Sequence, residues 1–134
     1  MVHILAVALG GAAGAVGRYA VSYAISQHAP SGFPWGTLTV NLIGSLILGF
    51  LTGLVVESLV SPRARALVGV GFLGSFTTFS TFAVETLTLI RQGEWMRAAT
   101  NLAVTNLLGI AAAVAGLLAA RTVVMAGRYA RSMA

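Results

Sequence analysis

An all-α integral membrane protein with four transmembrane helices is the fold class this sequence predicts, and three observations predict it. Of its 134 residues 57% are hydrophobic and only 8% charged, and the mean hydropathy is +0.91, a charge content far below that of an ordinary soluble domain. Four apolar segments, at about 2–26, 36–57, 66–90 and 98–121, each reach the roughly 20 residues a helix needs to cross a bilayer. The connections between them are short and carry residues that stop helices. A single domain over residues 1–134 is the organisation this length favours.

The first span opens as MVHILAVALGG. It has no basic region ahead of its apolar stretch and runs on to full spanning length, so it reads as a retained helix and not as a signal peptide. In QHAPSGFPW, Pro30, Gly32 and Pro34 end that helix, and Trp35 marks a membrane interface at the start of the second. SLVSPRAR leads into the third span, with Ser61 as N-cap and Pro62 at the first helical position. RQGEW closes it, with Gly93 as terminator and Trp95 as a further interfacial anchor for the fourth span. The tail from Arg121 to Ala134 is basic and is expected at the membrane surface.

Small residues pattern these helices. Gly10, Gly14, Arg18 and Ser22 recur every four residues, as do Ser45, Gly49 and Gly53, which puts each set on one face where backbones can approach closely. Plain helix packing accounts for most such patterns. VALGGAAGAVG looks like a dinucleotide-binding turn, but it lies in a spanning segment, its glycines miss the spacing, and no acid follows about 20 positions on.

All eight basic residues are arginine and the acids are Glu57, Glu85 and Glu94, for a formal charge of +5. In a chain with so little soluble structure the excess reads as membrane anchoring, not as nucleic-acid binding. The absence of cysteine excludes disulfides, thiolate metal sites and cysteine nucleophiles.

Three polar features stand out against the apolar background. Arg18 lies about two-thirds of the way along the first span, where an arginine facing lipid costs about 2.5–3.5 kcal/mol on insertion scales. It is either an anchor that snorkels to the interface or an electropositive element beside an anion path. Asn41 sits early in the second span, and Asn101 and Asn106 sit in the fourth. Their amides serve either as glue between helices or as donors to a small anion that has shed water. The third feature is GFLGSFTTFSTF at residues 71–82. Read as helix, it puts Phe79 and Phe82 on one face and leaves Thr77, Thr78, Ser80 and Thr81 to satisfy hydroxyls inside the bilayer. Gly71 and Gly74 ahead of β-branched threonines weaken a helix, so the segment reads as an interrupted helix at a site. Unwound carbonyls there suit a small cation, and ring edges suit an anion. Spacing alone selects no ion.

GGAAGAVGRY (10–19), WGTLTVNLIGS (35–45), GFLGSFTTFSTFAVE (71–85) and, more weakly, the polar fourth helix together resemble the bacterial fluoride channels known as Fluc or CrcB. The third block is the specific one. The resemblance implies an antiparallel, dual-topology homodimer of four-helix subunits in the bacterial inner membrane. It would export fluoride passively from the cytoplasm, confer fluoride resistance, and hold a structural sodium ion at its centre. On this resemblance Phe79 and Phe82 line the anion path, Asn41 is the pore amide, and Ser80 and Thr81 belong to a hydroxyl track. The backbone carbonyls of Gly74 and Thr77 would hold the sodium, so any Cβ at Gly74 is expected to crowd the break. Arg18 matches the family's first-helix arginine and Glu85 its third-helix carboxylate. The fourth helix departs from the family's pattern: where serines often stand one turn apart, this chain has Asn106 and then Ile110, so Thr105 or Asn106 would substitute at the far end of the track.

Two other classes compete. A four-helix exporter of cationic drugs or guanidinium wants a carboxylate in the middle of its first helix, and this chain has Arg18 there and no acid before Glu57. A non-transporting assembly subunit would need only glycine faces and buried amides, and leaves the Phe-hydroxyl stretch unexplained. An enzyme is not expected. The arginines themselves are ambivalent about orientation. Arg63, Arg65, Arg121, Arg128 and Arg131 share one side of a four-span chain and Arg91 and Arg97 the other, a bias toward a cytoplasmic N-terminus that soft helix ends weaken.

Overall fold

The computed structural model describes residues 1–133, and among them it is all-helical, with no strand. Helix α1 runs Val2–His28 and α2 runs Trp35–Val56. The third span is assembled from α3 (Pro62–Ala64), a π-helical run over Arg65–Leu73, α4 (Gly74–Phe76) and α5 (Phe79–Arg91). Helix α6 occupies Trp95–Ser132. Taken as α1, α2, Pro62–Arg91 and α6, four helical stretches are long and apolar enough to cross a membrane.

The helix ends follow the local chemistry of the sequence. Ser61 Oγ accepts from the Ala64 backbone N–H at 3.2 Å, with Pro62 at the first helical position where its missing N–H costs nothing. Gly93 takes φ +78° after α5, and Gly32 takes φ +90° between α1 and α2; both are left-handed conformations that favour glycine. The fourth helix does not stop with its apolar segment near residue 121. It continues through the basic tail to Ser132, because nothing from Arg121 to Ser132 is a proline and the single Gly127 only weakens a helix.

Close backbone contact holds the spans together, and glycine permits it. A Cβ on Gly10 would run into the Leu67 carbonyl, and one on Gly14 into the Phe72 carbonyl, so α1 lies directly on the π-helical run. Gly49 meets the Ala113 carbonyl and Gly116 meets the Leu46 carbonyl, which seats α2 on α6 in the same way. Gly53 extends that seam against Ala120. The glycines of the four-residue spacings thus mark packing faces. A buried polar chain joins α5 to α6: Thr105 Oγ1 donates to Asn101 Oδ1 at 3.2 Å, Asn101 Nδ2 to Thr86 Oγ1 at 2.9 Å, and Thr86 Oγ1 to the Phe82 carbonyl at 2.8 Å. Asn101 is 1% exposed, and its amide is therefore glue.

Much apolar surface stays uncovered in the single subunit. Ile4, Leu9, Val16, Val70, Phe79, Leu107 and Ile110 are all exposed, as suits helices whose outer faces meet lipid or another chain.

Candidate functional site

Thr77 and Thr78 form the centre of the site. The helix ends at Phe76, Thr77 takes φ −82° and ψ 156°, Thr78 takes φ −149° and ψ 117°, and helix resumes at Phe79. Two extended residues inside a spanning segment leave polar backbone groups that the apolar surroundings would penalise. Asn41 answers two of them. Its Oδ1 accepts from the Thr78 N–H at 2.8 Å and its Nδ2 donates to the Thr78 carbonyl at 3.1 Å. Thr78 Oγ1 then caps α5 by accepting from the Thr81 N–H at 3.2 Å, while donating to Thr81 Oγ1 at 3.0 Å. Ser80 Oγ lies 3.3 Å from the same Thr78 hydroxyl. Thr77 Oγ1 turns back to the Leu73 carbonyl at 3.0 Å, and its methyl fills the space left by Gly44 on α2.

This arrangement has a consequence for Gly74 and Thr77. In a continuous α-helix their carbonyls would accept from the N–H groups of Thr78 and Thr81, four residues on. Those two donors are given to Asn41 Oδ1 and Thr78 Oγ1 instead. Both carbonyls therefore lack their usual partners.

Two cavities meet at Thr78. The first, of about 310 Å³, is lined by Asn41, Thr77, Thr78, Phe79, Phe82, Thr105, Asn106 and Ile110, with Ser45, Leu48 and Gly109. The sequence-predicted residues Asn41, Phe79, Phe82 and Asn106 come together here. The two rings stand 5.7 Å apart between centroids at 52°. Phe82 is 5% exposed, whereas Phe79 is 77% exposed. Asn106 commits one donor to the Leu102 carbonyl at 2.7 Å, and its amide keeps the other N–H for a ligand.

The second cavity, of about 300 Å³, is lined by Arg18, Ser22, Ser26, Thr37, Thr78, Thr81 and Glu85, among others. Thr37 Oγ1 donates to Glu85 Oε1 at 2.8 Å. Arg18 Nε and Glu85 Oε2 are buried with no hydrogen-bond partner in the chain. Sequence reading placed Thr81, Arg18 and Glu85 in the region but missed Thr37 as their neighbour. Its signal was the spacing: Thr37 stands four residues before Asn41, on the same face of α2. Ser80 lines neither cavity and reaches the site only through Thr78.

Within the single subunit the crowding expected at Gly74 is not seen. A Cβ on Gly74 would find only the Gly69 carbonyl, at 3.9 Å, so nothing within the chain crowds that position. Gly74 is exposed on the surface of the subunit.

Residues 5–117 match the model of the CrcB-like, camphor-resistance family. A protein of Shewanella loihica named fluoride-specific ion channel FluC is 53% identical over 103 residues, covering 77% of this chain and 83% of that one. One of the same name from Magnetococcus marinus is 50% identical over 118 residues, covering 87% and 96% of the two chains. A multi-pass bacterial membrane protein and not an enzyme, the chain described here belongs to the CrcB family.

Proposed function

We propose that this chain forms a fluoride-selective channel that lets the anion leave the cytoplasm passively, down its electrochemical gradient. The observation that carries the reading is the cavity at which Asn41, Phe79, Phe82 and Asn106 converge on the extended Thr77–Thr78 backbone. Fluoride is small, strongly hydrated and a strong hydrogen-bond acceptor. Amide N–H groups and rotatable hydroxyls replace part of its water, and ring edges add an electropositive contact. The second cavity offers Arg18 and the Thr81 hydroxyl, whose hydrogen is not committed within the chain, as a polar approach on the other side of Thr78. The names of the two relatives above support fluoride as the ion.

A structural sodium ion at the break belongs to the same reading. Two carbonyls without their usual donors, at Gly74 and Thr77, are the hard oxygen ligands such a cation takes. Their residues fit it, and the exposure of Gly74 leaves it reachable by a second copy. An ion there would offset the carbonyl dipoles and hold the interrupted span in shape, while Asn41 and Thr78 fix the extended backbone from within the chain. The copies would pair antiparallel, so that one gene product presents both orientations.

Phe79→Ile and Phe82→Ile test the path. Each should remove about 1 kcal/mol of ring contact, about fivefold in fluoride flux, from a protein that still elutes as a folded dimer. Wild-type flux from both variants would refute the pathway. Single cysteines at residues 28–33 test the assembly: both membrane faces should label with an impermeant thiol reagent. Labelling from one face, in vesicles that still conduct, would refute the antiparallel pair.

A further inference from the structure

Helix α6 is too long for the membrane it crosses. Its 38 residues extend about 57 Å at 1.5 Å each, against a hydrocarbon core of about 30 Å. The family match ends at residue 117, so the part beyond lies outside what the relatives' family model describes. Arg121, Arg128 and Arg131 fall there at spacings of seven and three, on one side of the helix. Arg128 Nη2 reaches Glu57 Oε2 at 2.7 Å, which pins the extension to the end of α2. The chain turns at that end into α3, which puts Arg63 and Arg65 at the same end of the bundle, where α3 and the π-helical run pack on α1 and not on α6.

Glu57 is the only carboxylate side chain at this end, and Arg128 occupies it. Arg63, Arg65, Arg121 and Arg131 are exposed and have no carboxylate within ion-pair distance among the described residues. Four unpaired guanidinium groups at one end of a spanning bundle complement a sheet of phosphates, and basic residues in that number beside spanning helices attract anionic lipid. From this we infer that the helical extension of α6 and the start of the third span make this end of the bundle a docking surface for anionic phospholipid headgroups. The inference does not depend on which ion the protein conducts.

Purified protein in mixed detergent micelles, doped with phosphatidylglycerol or with phosphatidylcholine, tests it by native mass spectrometry of the lipid retained. Wild type should hold phosphatidylglycerol in preference to phosphatidylcholine. Arg121→Gln with Arg131→Gln should lower the retained phosphatidylglycerol about tenfold, leaving phosphatidylcholine unchanged. Glu57→Gln should act in the opposite sense and raise retention several-fold, because it frees Arg128; a misfolded variant would not gain lipid. Equal retention of the two lipids by wild type, unchanged retention in the double variant, or a fall with Glu57→Gln would each overturn the docking surface. Displacement of phosphatidylglycerol by millimolar inorganic phosphate would also overturn it, by reducing the surface to a general anion trap.

Discussion

Glycines 14 and 116 differ from glycine 74 in a way their sequence neighbourhoods do not announce. At Gly14 and Gly116 a side chain would strike the backbone of Phe72 and of Leu46, which have no room to yield. At Gly74 it would meet open space apart from one carbonyl 3.9 Å away. The first two glycines are small because this chain packs on itself. If smallness matters at Gly74, its cause lies outside the single subunit, in an ion or a second copy. A glycine in a spanning helix thus carries two kinds of information, and only the contacts tell them apart.

The largest effect is expected at the packed glycines. Gly116→Leu should abolish the folded protein, and Gly116→Ala alone should cost about 1–3 kcal/mol through overpacking, read as loss of monodisperse protein on size exclusion after mild heating. A stable Gly116→Leu variant would mean that α2 and α6 are not seated as described. Asn41→Ala comes next. It strips partners from the N–H and carbonyl of Thr78, at about 1–3 kcal/mol for each buried group, and should lower the midpoint of thermal unfolding. Asn41→Asp keeps the acceptor for the Thr78 N–H and loses the donor to its carbonyl, so it should fall between the two.

Gly74→Ala sharpens the contrast. In the isolated subunit it should be tolerated, and an alanine in a helical turn is favoured over glycine by up to about 1 kcal/mol. Helix content by circular dichroism should therefore match wild type, while dimer recovery and fluoride flux should both fall. If flux and dimer survive unchanged, the uncrowded space at Gly74 is simply vacant and the central cation loses its support. The smallest effect is expected at the latch. Arg128→Gln removes an ion pair whose arginine is 71% exposed, and it should change stability by no more than about 1 kcal/mol, with fluoride flux unaltered.

The architecture was largely legible because spanning helices announce themselves through length and apolar content, and their ends through Ser61–Pro62 and Gly93. The π-helical run over Arg65–Leu73 was not legible. Its wider turns arise where glycines let one backbone settle on another, and no residue type marks that in one dimension. The site was legible in its members more than in its wiring. Asn41, Phe79, Phe82 and Asn106 do share a cavity. Yet an amide in a sequence does not reveal its partner, and Asn41 spends both ends of its amide on Thr78. Thr78 itself, where the two cavities meet, looked like one hydroxyl among several, because its importance comes from extended backbone held by Asn41 on a neighbouring span.

As a fluoride channel, this protein must conduct alone. Liposomes containing only the purified chain, loaded with fluoride and given a potassium ionophore to balance charge, should release fluoride to an external electrode while identical chloride-loaded liposomes retain their anion. Fluoride release no faster than from protein-free liposomes, or chloride release at the same rate, would contradict the proposed channel.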